Sequence, residues 1–196
     1  AQHFINGLSL GSIYALIALG YTMVYGVLQL INFAHADIYM VGAFAAYYVS
    51  RWMGLETEPG LYSLAMALLA SMAACAALGV LIERLAYRPL RGSPKLNILI
   101  TAIGVSLLLE FSGQLIFGAN PKYFPRLIED KSLIENEFII LKTLDVTVFV
   151  VTLAALMVLH YLVYKTKLGK SMRAISHNMT TASLLGINVN TVVVFT

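Results

Sequence analysis

Charged residues are scarce in this sequence. Lys and Arg number 13 and Asp and Glu number 10, together 12% of 196 residues, whereas a soluble domain carries about 25%. Hydrophobic residues make up 59%, and the mean hydropathy is +0.80. So few charges exclude a water-soluble globular domain. The net charge of +3 does not indicate nucleic-acid binding, because a basic balance on so apolar a chain is typical of Lys and Arg in cytoplasmic loops.

The residues of metal and nucleotide sites are equally scarce. One cysteine, Cys75, excludes an intrachain disulfide. The histidines are scattered without ligand spacing: His3, His35, His160 and His177. The run Gly169-Lys170-Ser171 lacks the earlier glycine of a phosphate-binding loop, because position 164 is Tyr. The sequence also lacks a set of residues that could serve as nucleophile and base. We therefore expect no metal site, no cofactor and no enzymatic activity.

What the chain does have is long uncharged runs. Residues 59–82 and 146–164 contain no charged side chain, and residues 96–117 contain one, Glu110. A membrane-spanning helix needs about 20 apolar residues. Each run therefore predicts one span. The fold class is an all-α, polytopic membrane helix bundle, and residues 1–196 are expected to form one transmembrane domain that is truncated at its C-terminus.

The N-terminal stretch is long enough for two spans but is interrupted. Residues 4–50 carry one charge, Asp37. A break at the polar group around Asn32 and His35 leaves a second segment, 38–50, that would cover only about 20 Å as a helix. It crosses only if the polar group lies below the membrane surface, so we predict a broken or re-entrant element near 32–37.

Basic residues in the short loops predict the orientation. Residues 83–95 hold four bases against one acid, and residues 165–173 hold four bases and no acid. Both segments are expected to face the cytoplasm. Residues 118–145 hold four bases and five acids, so this loop is expected to face outward. The balance of basic and acidic residues alternates from loop to loop through five predicted spans, which places the N-terminus outside.

Ionisable groups inside a membrane usually serve a pathway, a relay or a partner. We assign Asn32, His35, Asp37 and Glu110 as candidate substrate-pathway residues. His35 and Asp37 are two positions apart and point to different helix faces, so they do not form one acid–base pair. The alternative is structural: the N-terminal pair would cap half-helices or lie at an interface, and Glu110 would pair with a neighbouring helix or a lipid headgroup.

Small residues at four-residue spacing allow helix backbones to approach closely in lipid. Gly7 and Gly11 form one such pair, and Cys75 and Gly79 form another. We interpret these residues as helix-packing positions, which say nothing about substrate.

The segment 165–190 opens with a basic cluster and reaches Gly186, a typical C-terminal stop of a helix. It predicts a short amphipathic helix. Such a helix either lies on the membrane surface or docks a cytoplasmic partner.

Five runs, in order along nearly the whole chain, resemble the LivH-type permease of bacterial branched-chain amino acid ABC importers. They are FINGLSLGSIYAL (4–16), GYTMVYG (20–26), INFAH (31–35), ERLAYRPLR (83–91) and ASLLGIN (182–188). One difference is Ala36, where the family commonly has glycine.

The resemblance implies an inner-membrane importer subunit that works with a second permease subunit, cytoplasmic ATP-binding subunits and a periplasmic substrate-binding protein. The substrate would be leucine, isoleucine or valine. It also implies that the segment 165–190 receives the ATPase, with these coupling residues: Arg173, Asn178, Ala182, Leu185 and Gly186. Two alternatives remain: a urea or short-amide permease of the same superfamily, and a proton-coupled secondary transporter that uses Asp37 and Glu110.

Overall fold

The computed structural model describes residues 2–29, 31–129, 132–136 and 139–196. In that part of the chain the helices are α1 (Gln2–Leu28), α2 (His35–Trp52), α3 (Leu61–Ile82), α4 (Lys95–Phe117), α5 (Thr143–Lys165), α6 (Lys167–His177), α7 (Met179–Leu184) and α8 (Val189–Phe195). A π-helical turn, Glu83–Tyr87, and a 3-10 turn, Arg88–Leu90, continue α3. A two-stranded antiparallel hairpin, β1 (Ser132–Asn136) and β2 (Ile139–Lys142), precedes α5.

Among the described residues, four helices are long and apolar enough to cross a membrane: Gln2–Leu28, Leu61–Leu90, Leu96–Phe117 and Thr143–Lys165. They match the predicted spans within a few residues, except that Leu61–Leu90 continues eight residues beyond the predicted end at residue 82. The predicted fifth span corresponds to α2, whose 18 residues extend roughly 27 Å. It is not one of the four, and Asp37 and Arg51 in its end turns lower its hydropathy. Its crossing stays a prediction.

The break predicted near residues 32–37 is present. Helix α1 ends at Leu28 and α2 begins at His35. Gln29, immediately after α1, has φ +52, a left-handed conformation that does not continue a helix. The helix is therefore interrupted within the polar segment, between Leu28 and His35.

The described chain divides into two compact units. The first, here the α2–α4 unit, comprises Ile31–Glu129 and contains α2, α3 and α4. The second, here the α1/α5 unit, contains α1, the hairpin and α5 to α8. The prediction of a single transmembrane domain is not settled by this division and stays a prediction.

In the α2–α4 unit, α2 packs closely along α3. A Cβ atom placed on Gly42 of α2 would lie 2.8 Å from Ser71 Oγ and closer still to Cys75 Sγ, both on α3. Only glycine leaves room for this approach. Cys75 also donates a hydrogen bond to the Ile38 carbonyl oxygen at 3.4 Å. Of the predicted pair, Cys75 thus packs against α2, whereas no described residue lies within 4 Å of a Cβ at Gly79. Gly42 was not predicted as the partner of Cys75.

At one end of this unit a small apolar cluster is closed by the segment that follows α4. Leu127 is buried with Ala46 on α2, Ala67 on α3 and Leu55 between those helices. The Leu127 carbonyl oxygen accepts a hydrogen bond from the Gly60 N–H at 2.9 Å. This segment is therefore anchored across the α2–α3 connection.

In the α1/α5 unit, α1 and α5 pack together, and α6 contacts both. The Gln2 side-chain amide pairs with the backbone of Ile140 in β2, donating at 3.0 Å and accepting at 2.7 Å. At the other end of α1, Gln29 Nε2 donates to the Ser176 carbonyl oxygen at 3.2 Å. Helix α1 thus runs from the hairpin to α6. The hairpin itself was not predicted from the sequence.

Candidate functional site

The turn before α2 is organised by Asn32. Its Oδ1 atom accepts hydrogen bonds from the Ala34 N–H at 3.2 Å and from the Tyr87 hydroxyl at 2.6 Å. Its carbonyl oxygen accepts from the His35 N–H at 3.2 Å. Ala34 is fully buried in this turn. Asn32 therefore supports the start of α2 and joins it to the end of the α3 extension.

Tyr87, which donates to Asn32, is the last residue of the π-helical turn. Its extra residue per turn changes the direction of the side chains that follow, and π turns occur often at functional sites. The turn starts at Glu83, which is 6% exposed and ion-paired with Arg91 beyond the 3-10 turn. Among the described residues, Glu83 Oε2 is buried without a hydrogen-bond partner. This ion pair joins the first residue of the π-helical turn to the residue that follows the 3-10 turn. It was not predicted from the sequence.

The Asp37 carboxylate accepts a hydrogen bond from Ser106 Oγ at 2.5 Å. Ser106 is the middle residue of α4. The first turn of α2 therefore lies beside the centre of an apolar helix rather than beside one of its ends. A charge-assisted hydrogen bond is the arrangement expected for a carboxylate in such surroundings.

The other pathway candidates are not gathered around Asp37. Glu110 lies one turn after Ser106 on α4, but its side chain is exposed. His35 is partly buried in the first turn of α2, and the neighbouring Ala36 is exposed. The structure thus joins Asn32 to Tyr87 and Asp37 to Ser106, and it leaves Glu110 on the surface of α4.

Toward the other end of α2, Lys122 from the segment after α4 lies among aromatic rings. Lys122 Nζ donates to the Tyr48 hydroxyl at 2.5 Å and lies 4.8 to 5.9 Å from the ring centroids of Tyr48, Tyr47 and Phe44. Phe44 stacks on Phe117 at 4.2 Å. A cavity of about 500 Å³ lies beside these rings. The signal in the sequence was the run of aromatic residues in α2.

The segment after α5 is fixed by side-chain caps. Thr166 Oγ1 accepts from the Gly169 N–H at 3.0 Å and begins α6. Asn178 Oδ1 accepts from the Thr181 N–H at 2.9 Å and begins α7. The predicted single helix is thus two helices, because the Asn178 backbone is extended and its side chain caps the next helix.

Helix α7 ends in a Schellman motif. Gly186 has φ +83, as the prediction of a glycine stop requires. The Gly186 N–H donates to the Ser183 carbonyl oxygen and the Ile187 N–H to the Ala182 carbonyl oxygen, each at 3.1 Å. These are the two hydrogen bonds that define the motif. The direction of the chain after α7 therefore depends on a residue that tolerates positive φ.

The predicted coupling residues have different surroundings. Ala182 is 2% exposed and packs with Met172 and Ile175 of α6. The Arg173 guanidinium bonds to the Val163 carbonyl oxygen, so it faces α5. By contrast, Leu185 is 76% exposed and Leu184 is 83% exposed. The surface that this segment offers to a partner is therefore apolar and lies at the end of α7.

The glycines predicted to pack helices have no close neighbour in the described part of the chain. Nothing lies within 4 Å of a Cβ at Gly7 or Gly11, and both are exposed. Their role in helix packing stays a prediction and would involve atoms outside the described residues.

Apolar helices joined by polar, capped connections define a polytopic membrane protein. The model of the family described as branched-chain amino acid transport system / permease component matches residues 3–196. The chain belongs to this family. It is a multi-pass protein of the inner membrane.

Named relatives cover the whole chain. It is 38% identical over 201 residues to the high-affinity branched-chain amino acid transport system permease protein BraD of Pseudomonas aeruginosa. It is 36% identical over 201 residues to the corresponding LivH proteins of Escherichia coli K12 and Salmonella typhimurium. All of this chain is covered, and it spans 65% of the length of each relative. No solved structure matches.

Proposed function

We propose that the full-length protein is the permease subunit of an ATP-driven importer that moves leucine, isoleucine or valine across the bacterial inner membrane. Its partners are cytoplasmic ATP-binding subunits, a second permease subunit and a periplasmic substrate-binding protein. The names and identities of BraD and LivH support the substrate class. In this proposal ATP is hydrolysed in the separate subunits.

The observation that carries the proposal is the fixed end of α7. An ATPase subunit transmits force to a permease by contact, so the contact element must hold its shape. Caps at Thr166 and Asn178 and the Schellman motif at Gly186 define both ends of the segment. The exposed Leu184 and Leu185 provide apolar area for a groove on the ATPase.

A path for the substrate is proposed along the start of α2. Asp37 supplies a carboxylate beside the middle of α4, and Asn32 supplies amide groups at the preceding turn. A zwitterionic amino acid brings an ammonium group, for which a carboxylate is the natural acceptor. His35 and Glu110 are kept as further candidates for this path.

The proposal is tested in proteoliposomes that contain the full-length protein, the ATPase subunits encoded beside it, the second permease subunit and the binding protein. Labelled leucine uptake should require ATP and be competed by isoleucine and valine but not by urea. Uptake driven by an imposed proton gradient without ATP would instead establish a secondary transporter. Competition by urea alone would establish the short-amide permease.

A further inference from the structure

The α1/α5 unit has an open cavity of about 470 Å³ lined by α1, α5 and α6, a volume within the usual range of ligand pockets. Most of its wall is apolar. Leu19, Met23 and Val27 contribute from α1, and Leu156, Leu159 and Val163 contribute from α5. The proposed transport function uses none of this space.

Polar groups are concentrated where α5 meets α6. The Arg173 guanidinium bonds to the Val163 carbonyl oxygen and lies 5.4 Å from the ring centroid of Tyr164. The Tyr164 ring lies 4.7 Å from the His160 ring. The bond to Val163 uses one of the five N–H groups of the guanidinium. Arg173 is thereby held at the cavity with donors left for an anionic ligand.

The charge around the cavity has one sign. No Asp or Glu occurs between residues 146 and 196, whereas Lys165, Lys167 and Lys170 precede Arg173 closely in the sequence. The same basic cluster predicts that this end of α5 faces the cytoplasm, where the membrane leaflet is rich in anionic lipids. A ligand for this cavity therefore combines an anionic head with an apolar body.

We propose that the cavity binds an anionic glycerophospholipid. Its phosphodiester pairs with Arg173, and one acyl chain lies along the apolar side chains of α1 and α5. Basic pockets between membrane helices on the cytoplasmic side bind lipid headgroups in this way. The bound lipid contacts α1, α5 and α6. It therefore stabilises the position of α6, the first helix after α5.

The test is lipid binding to the purified full-length protein in detergent, measured by native mass spectrometry. The probes are dioleoyl phosphatidylglycerol, dioleoyl phosphatidylcholine and inorganic phosphate. We expect phosphatidylglycerol to bind more tightly than phosphatidylcholine. R173Q should weaken phosphatidylglycerol binding about fivefold, whereas R173K should retain most of it.

A second variant tests the cavity without changing charge. Gly26 lines the cavity, and nothing lies within 4 Å of a Cβ there. G26L should fill part of the space and weaken phosphatidylglycerol binding. G104L is the matched control, because Gly104 is also a helical glycine, equally open and outside the cavity. It should bind the lipid as the wild type does.

Four results would overturn the proposal. Equal affinity for the two lipids would remove the role of the headgroup. Unchanged phosphatidylglycerol binding in both R173Q and G26L would place the lipid elsewhere. Displacement of phosphatidylglycerol by millimolar inorganic phosphate would identify a free anion as the occupant. A G26L protein that loses thermal stability but binds lipid normally would identify a protein segment as the occupant.

Discussion

The Asp37 carboxylate on α2 is joined to the Ser106 hydroxyl on α4, with 2.5 Å between the oxygen atoms. This hydrogen bond links a helix that begins at His35 to the middle of a 23-residue apolar helix. Burial of a carboxylate in apolar surroundings is costly unless it is hydrogen-bonded. The pair therefore has a structural role, and under the proposed function its carboxylate also lies on the substrate route.

The first prediction concerns this pair. Asp37→Asn should lower leucine uptake by about tenfold or more, because a hydrogen bond to a charged group contributes about 1.5–3 kcal/mol. Ser106→Ala should also lower leucine uptake, but by less. Ser106→Thr should keep uptake near the wild-type rate, because threonine retains the hydroxyl group. The measurement is initial uptake in proteoliposomes at matched protein content.

Glu58→Gln is the control for loss of a carboxylate, because Glu58 is exposed in the connection between α2 and α3. It should transport as the wild type does. If Asp37→Asn and Glu58→Gln both gave normal uptake, Asp37 would have only a structural role.

The second prediction concerns topology. Cysteines placed singly at Ser93 and Ser132 in a Cys75→Ala background should react with membrane-impermeant reagents from opposite sides of the membrane. The reason is the basic bias of 83–95 against the acidic loop 118–145. Labelling of intact cells, compared with permeabilised cells, measures this directly. Reaction of both positions in intact cells would contradict the assigned orientation.

The helices were predictable because their signal is local. Long uncharged runs define α3, α4 and α5, and the polar group at Asn32 marks the break before α2. The contact of Gly42 with Cys75 was not predictable, since it depends on which helix faces are brought together. The same holds for the hydrogen bond from Ser106 to Asp37, residues that are 69 positions apart in the sequence.

In the candidate coupling segment, residue types were predictable but their surroundings were not. Gly186 was identified as a helix stop, and it has positive φ. Asn178 was assigned to partner contact, yet its side chain caps α7. Arg173 was assigned to the same contact, yet it bonds to the end of α5. A basic or amide side chain has several possible partners, and tertiary packing selects among them.

The third prediction concerns the joint between α5 and α6. A Cβ at Gly169 would overlap the carbonyl oxygens of Val163 and Leu162, which are backbone atoms and cannot move aside as a flexible side chain does. Gly169→Ala should therefore destabilise the protein by about 1–3 kcal/mol. It should lower the thermal unfolding temperature measured in detergent.

Gly104→Ala is the matched control for that experiment. Gly104 lies within α4, and nothing lies within 4 Å of a Cβ there. Because alanine favours the helix more than glycine does, this variant should be as stable as the wild type or more so. An unchanged unfolding temperature in Gly169→Ala would mean that α6 can move away from α5 at little cost.

The fourth prediction is that Gly186→Val uncouples ATP hydrolysis from uptake. Gly186 has φ +83, and a β-branched side chain is strongly disfavoured there. Valine should break the Schellman motif and change the direction of the chain beyond Leu185. Gly186→Asn should retain most of the activity, because asparagine tolerates positive φ at this position of a helix end.

Gly92→Val is the matched control, since Gly92 is equally open, with nothing within 4 Å of a Cβ, and its φ is not in the positive range. The measurements are recovery of the ATPase subunits with the purified permease, substrate-stimulated ATP hydrolysis and leucine uptake. We expect Gly186→Val to be inserted normally and to lose uptake together with ATPase recovery or stimulation, while Gly92→Val retains all three. Full stimulated hydrolysis and uptake in Gly186→Val would show that the end of α7 does not couple the permease to its ATPase.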